Sequence, residues 1–250
     1  MKDFSELALE SAEIEGRGVE LKERRLSPSL KCLSFSVKRG EGEESRPEPG
    51  RYHTLITEKS VLEEDSLVEE ITGAIASLLR RLIGRRARRL LAVGLGNPST
   101  IVDALGCETV RKLKAGETRR GYLASIVPSV FGLTGLETAS VVSGVAKEFR
   151  PDLVLCVDTL STRRAERLFR AVQIADDGIV PGGGVGNRRQ PLSEEVVGAP
   201  VFSIGVPLLA HADRCSSLPA GLVVTPKEID LLVPLFASAI AAGIERALQQ

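Results

Sequence analysis

Tryptophan is absent from the 250 residues, and only two histidines and four cysteines occur. The scarcity of histidine excludes most. A Ser-His-Asp or Cys-His site needs an imidazole in its cluster. His53 falls in an edge-strand pattern and His211 in the stretch His211-Ala-Asp-Arg-Cys215, so a surface or hydrogen-bonded role outweighs catalysis for both. There is no His-Glu-x-x-His and no Cys/His pairing at zinc spacing, so the sequence gives little support for a metal site. Cys32, Cys107, Cys156 and Cys215 are scattered without a Cys-x-x-Cys pair, which fits idle thiols in a reduced, cytoplasmic setting. An excess of one charge is also missing. Lys+Arg and Asp+Glu are 33 each, which calls for no nucleic acid or membrane partner. No apolar run approaches a membrane span and the start, Met-Lys-Asp-Phe-Ser-Glu-Leu, has no apolar h-region, so neither insertion nor secretion is expected.

What is present is more specific. Two apolar runs rich in Leu and Val lead into aspartates: Leu90-Leu-Ala-Val-Gly-Leu-Gly-Asn97 running on to Asp103-Ala-Leu-Gly106, and Asp152-Leu-Val-Leu-Cys-Val-Asp158. Such runs read as fully buried strands of a parallel sheet. Helix-like segments follow each, giving βαβ units. The expected fold is therefore α/β, a mainly parallel twisted sheet flanked by helices. Ligands bind at the carboxyl edge of such sheets, and Asp158 at one strand end and Asp103 just past another would share that rim.

Residues 1–60 read as an N-terminal extension carrying edge strands at Cys32–Val37 and Tyr52–Thr57, with an exposed charged loop, Arg39–Gly50, between them. Residues 61–250 read as the α/β core, the whole forming one compact domain. Ser66 with Glu69 makes a capping box ahead of a helix in which Leu67, Ile71, Ile75, Leu78, Leu79 and Leu82 recur at helical spacing. Its arginine-rich end, Arg80 to Arg89, is more often a solvated face than an anion site. Further strands are expected at 125–130, 153–157, 171–174, 200–206 and 221–224. Further helices are expected near 110–113, from Thr134 to Phe149, over Arg163–Arg167, and from Thr225, capped with Glu228, to about Leu248.

Gly94-x-Gly96-x-x-Ser99 has two glycines of a dinucleotide fingerprint but not the third, so tight-turn glycines are the better reading. The loop Pro181-Gly-Gly-Gly-Val-Gly-Asn187 lacks the ending of a P-loop. It is either a plain turn or a presenter of backbone N–H groups to an oxyanion or a substrate strand. A single acid at a strand end can be a helix N-cap. Two at equivalent ends point elsewhere, because like charges close together cannot both ionise cheaply and the pair holds one proton. Its ionised member can deprotonate water while the other hydrogen-bonds a scissile carbonyl and protonates the leaving amine. That is hydrolase chemistry.

Pro128-Ser-Val-Phe-Gly-Leu-Thr-Gly-Leu-Glu-Thr138, Pro151–Arg163, Gln173–Arg188 and Val224-Thr-Pro-Lys-Glu-Ile-Asp230 resemble, in order and spacing, motifs of the germination protease (spore endopeptidase) family. Gly94–Asn97 with Asp103–Gly106 matches too, as does the start Glu6-Leu-Ala-Leu-Glu10. The resemblance implies an endopeptidase that degrades small acid-soluble spore proteins at germination, in the cytoplasm of the forespore or spore core. It implies a fold akin to hydrogenase-maturation proteases, a homotetramer, self-processing from a zymogen, an atypical aspartic mechanism, and no cofactor. The family's two proposed catalytic aspartates fall on Asp103 and Asp158. Gly183 and Gly184 are candidates for positioning the substrate backbone. Glu137 and Arg163 are candidates for supporting the rim, with a helix first-turn acid and a surface cation as their respective alternatives.

The chain departs from the family pattern at Pro98–Val102, where Trp-Asn-Val-Thr-Pro is usual, and is shorter than usual between Gly106 and Tyr122. Only Met1 to Ser5 precede Glu6, so the usual inhibitory propeptide is expected to be missing. The competing readings are a metal-assisted maturation-type peptidase on the same fold and a non-catalytic homologue that binds spore proteins.

Overall fold

A computed structural model describes residues 6–10, 20–37, 50–84, 87–183, 189–212 and 222–249. The Arg39–Pro49 stretch, Arg85, Arg86, Gly184 and Cys215 lie outside the described residues. Ten strands form one sheet: β1 Lys22–Arg25, β2 Leu30–Val37, β3 Gly50–Thr57, β4 Arg89–Gly94, β5 Gly116–Thr118, β6 Gly121–Ile126, β7 Leu153–Thr162, β8 Ala171–Ala175, β9 Val201–His211 and β10 Val223–Val224. Their order is β1-β2-β3-β8-β9-β7-β4-β6-β5, with β10 also on β9. The centre, β9-β7-β4-β6, is parallel, as the apolar runs lead one to expect. The flanks are antiparallel: β1 to β3 continue the sheet through β8, and β5 closes the other end on β6. The architecture is thus α/β, a mixed sheet flanked by helices.

Among the described residues the helices are α1 Ser66–Ile83, α2 Leu105–Lys112, α3 Phe131–Thr134, α4 Thr138–Phe149, α5 Glu194–Val197 and α6 Ile229–Gln249. The spacing of Leu67, Ile71, Ile75, Leu78, Leu79 and Leu82 puts all six on one buried stripe of α1. That stripe packs with α2 and α6 over β7 residues Leu153, Leu155 and Val157. Gly243 of α6 lets α1 come close, since a Cβ there would stand 2.7 Å from Ile75 Cγ2. α6 has the length and hydropathy of a membrane-crossing helix, but Val233, Phe236, Ile240 and Ile244 are spent inside this core. Strand alternation sends Val154 and Cys156 to the other face, under α4 and α5. Further along that face, Leu160 is covered by Leu7 and Leu9 of the N-terminal turn.

Several boundaries differ from the sequence reading. Asp65 is the N-cap of α1 and makes no side-chain cap bond; Glu69 is instead paired with Arg246 of α6, so the capping box does not form. The helix expected from Thr134 is split by Gly135 in the left-handed region, and α4 begins only at Thr138. Arg163–Arg167 holds a single 3-10 turn, Ala165–Arg167. The strand expected at 125–130 is β6, set earlier at Gly121–Ile126, and α6 starts at Ile229 rather than after Thr225. Arg88 and Arg89 are exposed, as a solvated face requires, while their backbone N–H groups both donate to Asp152 Oδ2, at 2.7 and 2.8 Å.

Candidate active site

β4 and β7 run parallel until Gly94 pairs with Val157. There β4 stops, while β7 continues to Thr162, held on its far side by β9 through the pairing of Thr162 with Ala210. Asp158 is therefore not at a strand end. It lies inside β7, one residue past the end of its neighbour. The candidate edge is made by β4 ending early, which a reading of one strand at a time does not detect.

Asp103 reaches the same place from the chain that leaves β4. It closes the 3-10 turn Ile101–Asp103, directly before α2. The glycines around it act by close approach. A Cβ at Gly106 would sit 2.5 Å from Leu95 N and nearer still to Val157 O, so only glycine lets the start of α2 rest on the ends of β4 and β7. Gly96 has φ +101°, and a Cβ there would come within 3.0 Å of Asp103 Oδ1. With the chain so folded, Asn97 N–H donates to Asp103 Oδ2 at 2.8 Å.

Asp158 is only 4% exposed. Burial, then the charge of Glu6, then that of Asp103 push its carboxyl well above the usual range, against the Thr159 N–H bond to Oδ1 at 2.8 Å. Asp103 is half-buried, and burial raises its carboxyl too, opposed by the Asn97 N–H. Cys107 lies beside both acids, its Sγ 3.5 Å from Gly96 O. Burial and then Asp103 push its thiol up to about 11, so it stays protonated and is no nucleophile at neutral pH. Burial and the Asp158 charge push the Cys156 thiol up as well.

Glu6 was not among the site residues expected from sequence, although it opens the Glu6–Glu10 motif. Ser161 N–H donates to its Oε2 at 2.9 Å. Gly183 faces the same carboxylate: a Cβ there would stand 3.2 Å from Glu6 Oε1. Thus Asp103, Asp158 and Gly183 are drawn to one region, with Glu6. Glu137 is the N-cap of α4 and is paired with Arg189 at 2.9 Å; that arginine also lies 4.7 Å from the centre of the Phe131 ring. Arg163 directly follows the end of β7, about 16 Å along the strand from Asp158 at ~3.3 Å per residue, with its N–H bonded to Glu10 Oε2 at 2.8 Å. His53 bonds Ser34 in the β2–β3 ladder, far from this chemistry. Among the described residues, no cluster of three or more His, Cys, Asp or Glu side chains is arranged to hold a metal. An open groove of about 490 Å³ between α4 and α5 is lined by neither acid.

The sequence model of the germination protease family matches residues 2–218. The chain belongs to the germination protease family. Among its relatives, the germination protease of Clostridium perfringens is 30% identical over 307 residues, covering 98% of this chain and 94% of that protein. The one from Bacillus subtilis is 34% identical over 226 residues, covering 84% of this chain and 60% of its own length. An alignment of 307 positions to a chain of 250 means that the clostridial protein carries segments this protease lacks. Among solved structures, a [NiFe] hydrogenase maturation protease, HycI, from Thermococcus kodakarensis is similar at 22% identity and a TM-score of 0.41, over 67% of this chain and 98% of its own.

Proposed function

We propose that this protease is an endopeptidase of spore germination that cleaves small acid-soluble spore proteins, with Asp103 and Asp158 as a water-activating pair. The observation that carries the reading is a buried acid, Asp158, whose carboxyl is raised by burial and by the Glu6 and Asp103 charges together. Of two neighbouring acids, the more deeply buried keeps the proton and the more exposed gives it up first. Asp158 is thus the protonated member and Asp103 the base.

In this mechanism Asp103 takes a proton from water as the water attacks the peptide carbonyl. The Asp158 O–H donates a hydrogen bond to the carbonyl oxygen, then passes its proton to the departing amine. Gly183 and Gly184 help to position the substrate backbone. The same reading makes the enzyme a cytoplasmic homotetramer of the spore core. Spore proteins that are extended when cut suit an open strand edge.

The test is cleavage of a purified acid-soluble spore protein by the wild type and by the Asp103→Asn and Asp158→Asn variants, with and without chelator. Cleavage that survives chelation and vanishes in both folded variants supports the acid pair. Cleavage lost to chelator alone moves the assignment to a metal-assisted peptidase. Tight binding without cleavage by the wild type makes the chain a spore-protein-binding homologue.

A further inference from the structure

Past the end of β4, no strand among the described residues lies beside that side of β7. Alternation along a strand sends the N–H and C=O groups of every second residue to the same side. Leu95 N–H donates to Val157 O at 2.9 Å, so the groups of residue 157 face β4 and those of 159, 161 and 163 face the side that β4 has vacated. In a continuous sheet, carbonyls of a neighbouring strand would accept from them. Here carboxylates do. Ser161 N–H donates to Glu6 Oε2 at 2.9 Å and Arg163 N–H to Glu10 Oε2 at 2.8 Å.

The spacing explains how a turn can stand in for a strand. Glu6 and Glu10 bracket a short turn in which Glu10 N–H donates to Leu7 O at 2.9 Å, and their carboxylates accept from two N–H groups two strand residues apart. Two strand residues span about 6.6 Å. The two carboxylates therefore fall near the positions that alternate carbonyls of an added strand would occupy. The turn is pinned by Ala8 N–H to Gln173 Oε1 at 2.7 Å and by fully buried Leu7 and Leu9. It lies over the stretch of β7 that begins at Asp158, and an acid only 4% exposed reaches no peptide bond until something over it moves.

We infer that the edge of β7 from Thr159 to Arg163 is the substrate-docking edge, where an extended peptide adds as a strand in place of the Glu6–Glu10 turn. The peptide continues the line of β4. Two of its alternate carbonyls accept from Ser161 and Arg163 N–H, and its bond nearest the end of β4 lies at Asp103 and Asp158. This rests on the acid-pair reading for where the bond is cut, but not for where the peptide binds.

The test uses the full chain as Asp158→Asn and a fluorescein-labelled twelve-residue peptide spanning the first bond that the wild type cuts in a spore protein. If the wild type cuts none, the spore-protein reading falls and the peptide is taken from a casein segment that it does cut. One N-methyl group is walked along the peptide and Kd is read by anisotropy. Strand addition expects a period of two, with about tenfold weaker binding at alternate positions and little change between them. Adding Glu6→Ala, with folding checked by circular dichroism, removes one competing acceptor and is expected to tighten Kd severalfold. A flat N-methyl profile, or a Kd indifferent to Glu6→Ala, overturns the inference and makes the turn a permanent cap. A wild type that cuts and binds neither protein overturns it as well. If Asp158→Asn still cleaves the peptide, the acid-pair reading fails while the period of two still decides the docking edge.

Discussion

Replacing Gly96 by alanine tests the site through its backbone. At φ +101° an alanine Cβ would come within 3.0 Å of both the carbonyl carbon and Oδ1 of Asp103, and closer still to the carbonyl oxygen. Backbone strain of this kind costs about 1–3 kcal/mol, and forcing an atom into a filled space costs about 1–3 kcal/mol more. The expected loss is therefore ~2–6 kcal/mol, out of roughly 5–15 kcal/mol for a native protein. What relieves the clash is movement of Asp103, the proposed base. A displacement near 1 Å costs about a hundredfold in rate. With no tryptophan in the chain, urea unfolding is followed by far-UV circular dichroism, and kcat/KM is measured where the variant is fully folded. Gly73→Ala is the control. Gly73 lies exposed inside α1 with nothing within 4 Å of an added Cβ, so it is expected to stabilise by about 0.5–1 kcal/mol at unchanged kcat/KM. If folded Gly96→Ala cleaves as fast as the wild type, the placement of Asp103 as the base is wrong. If its stability is also unchanged, so is the packing argument.

Three further outcomes follow from the geometry. Asp158, with its carboxyl raised in the fold, binds more protons folded than unfolded from its ordinary pKa near 4 upward. Its contribution is therefore neutral at low pH and destabilising as pH climbs, by up to about 1.4 kcal/mol per pH unit until the folded group ionises. Asp158→Asn should be more stable than the wild type at pH 8 and lose that advantage by pH 4, as urea midpoints at both pH values will show. The Arg167 guanidinium is 3.3 Å from buried Glu10, which also accepts from Thr162 Oγ1 and Arg163 N–H; Arg167→Ala removes the cation but leaves those donors and is expected to cost about 1–3 kcal/mol, and no measurable loss would mean that the pair is not buried in solution. Cleavage should fall off both when Asp103 takes up a proton and when Asp158 gives one up, and a pH–rate profile with no acid limb would remove Asp103 as the base.

Much of this protein could be read along the chain because the signals are local. Leu90–Val93 and Leu153–Val157 are unbroken apolar runs, which only a strand covered on both faces requires. The α1 stripe follows from a period that any helix imposes. Asp103 and Asp158 could be singled out because each follows such a run, and the family motifs agreed. Boundaries were weaker. Gly135 split a helix that composition joined, and Glu69 found Arg246 of α6 in place of its own helix start.

The candidate edge was decided only in three dimensions. Nothing in Leu153–Thr162 says that its neighbour will stop at Gly94, so Asp158 read as the end of a strand when it is the first residue of an uncovered one. Nothing near Glu6 says that its carboxylate will meet the N–H of Ser161, 155 residues away. Local sequence determines which segments become strands and helices, because backbone geometry and apolar period act over a few residues. Which strand outlasts its neighbour, and which charge comes to lie against a buried acid, are set by packing between segments far apart in the chain.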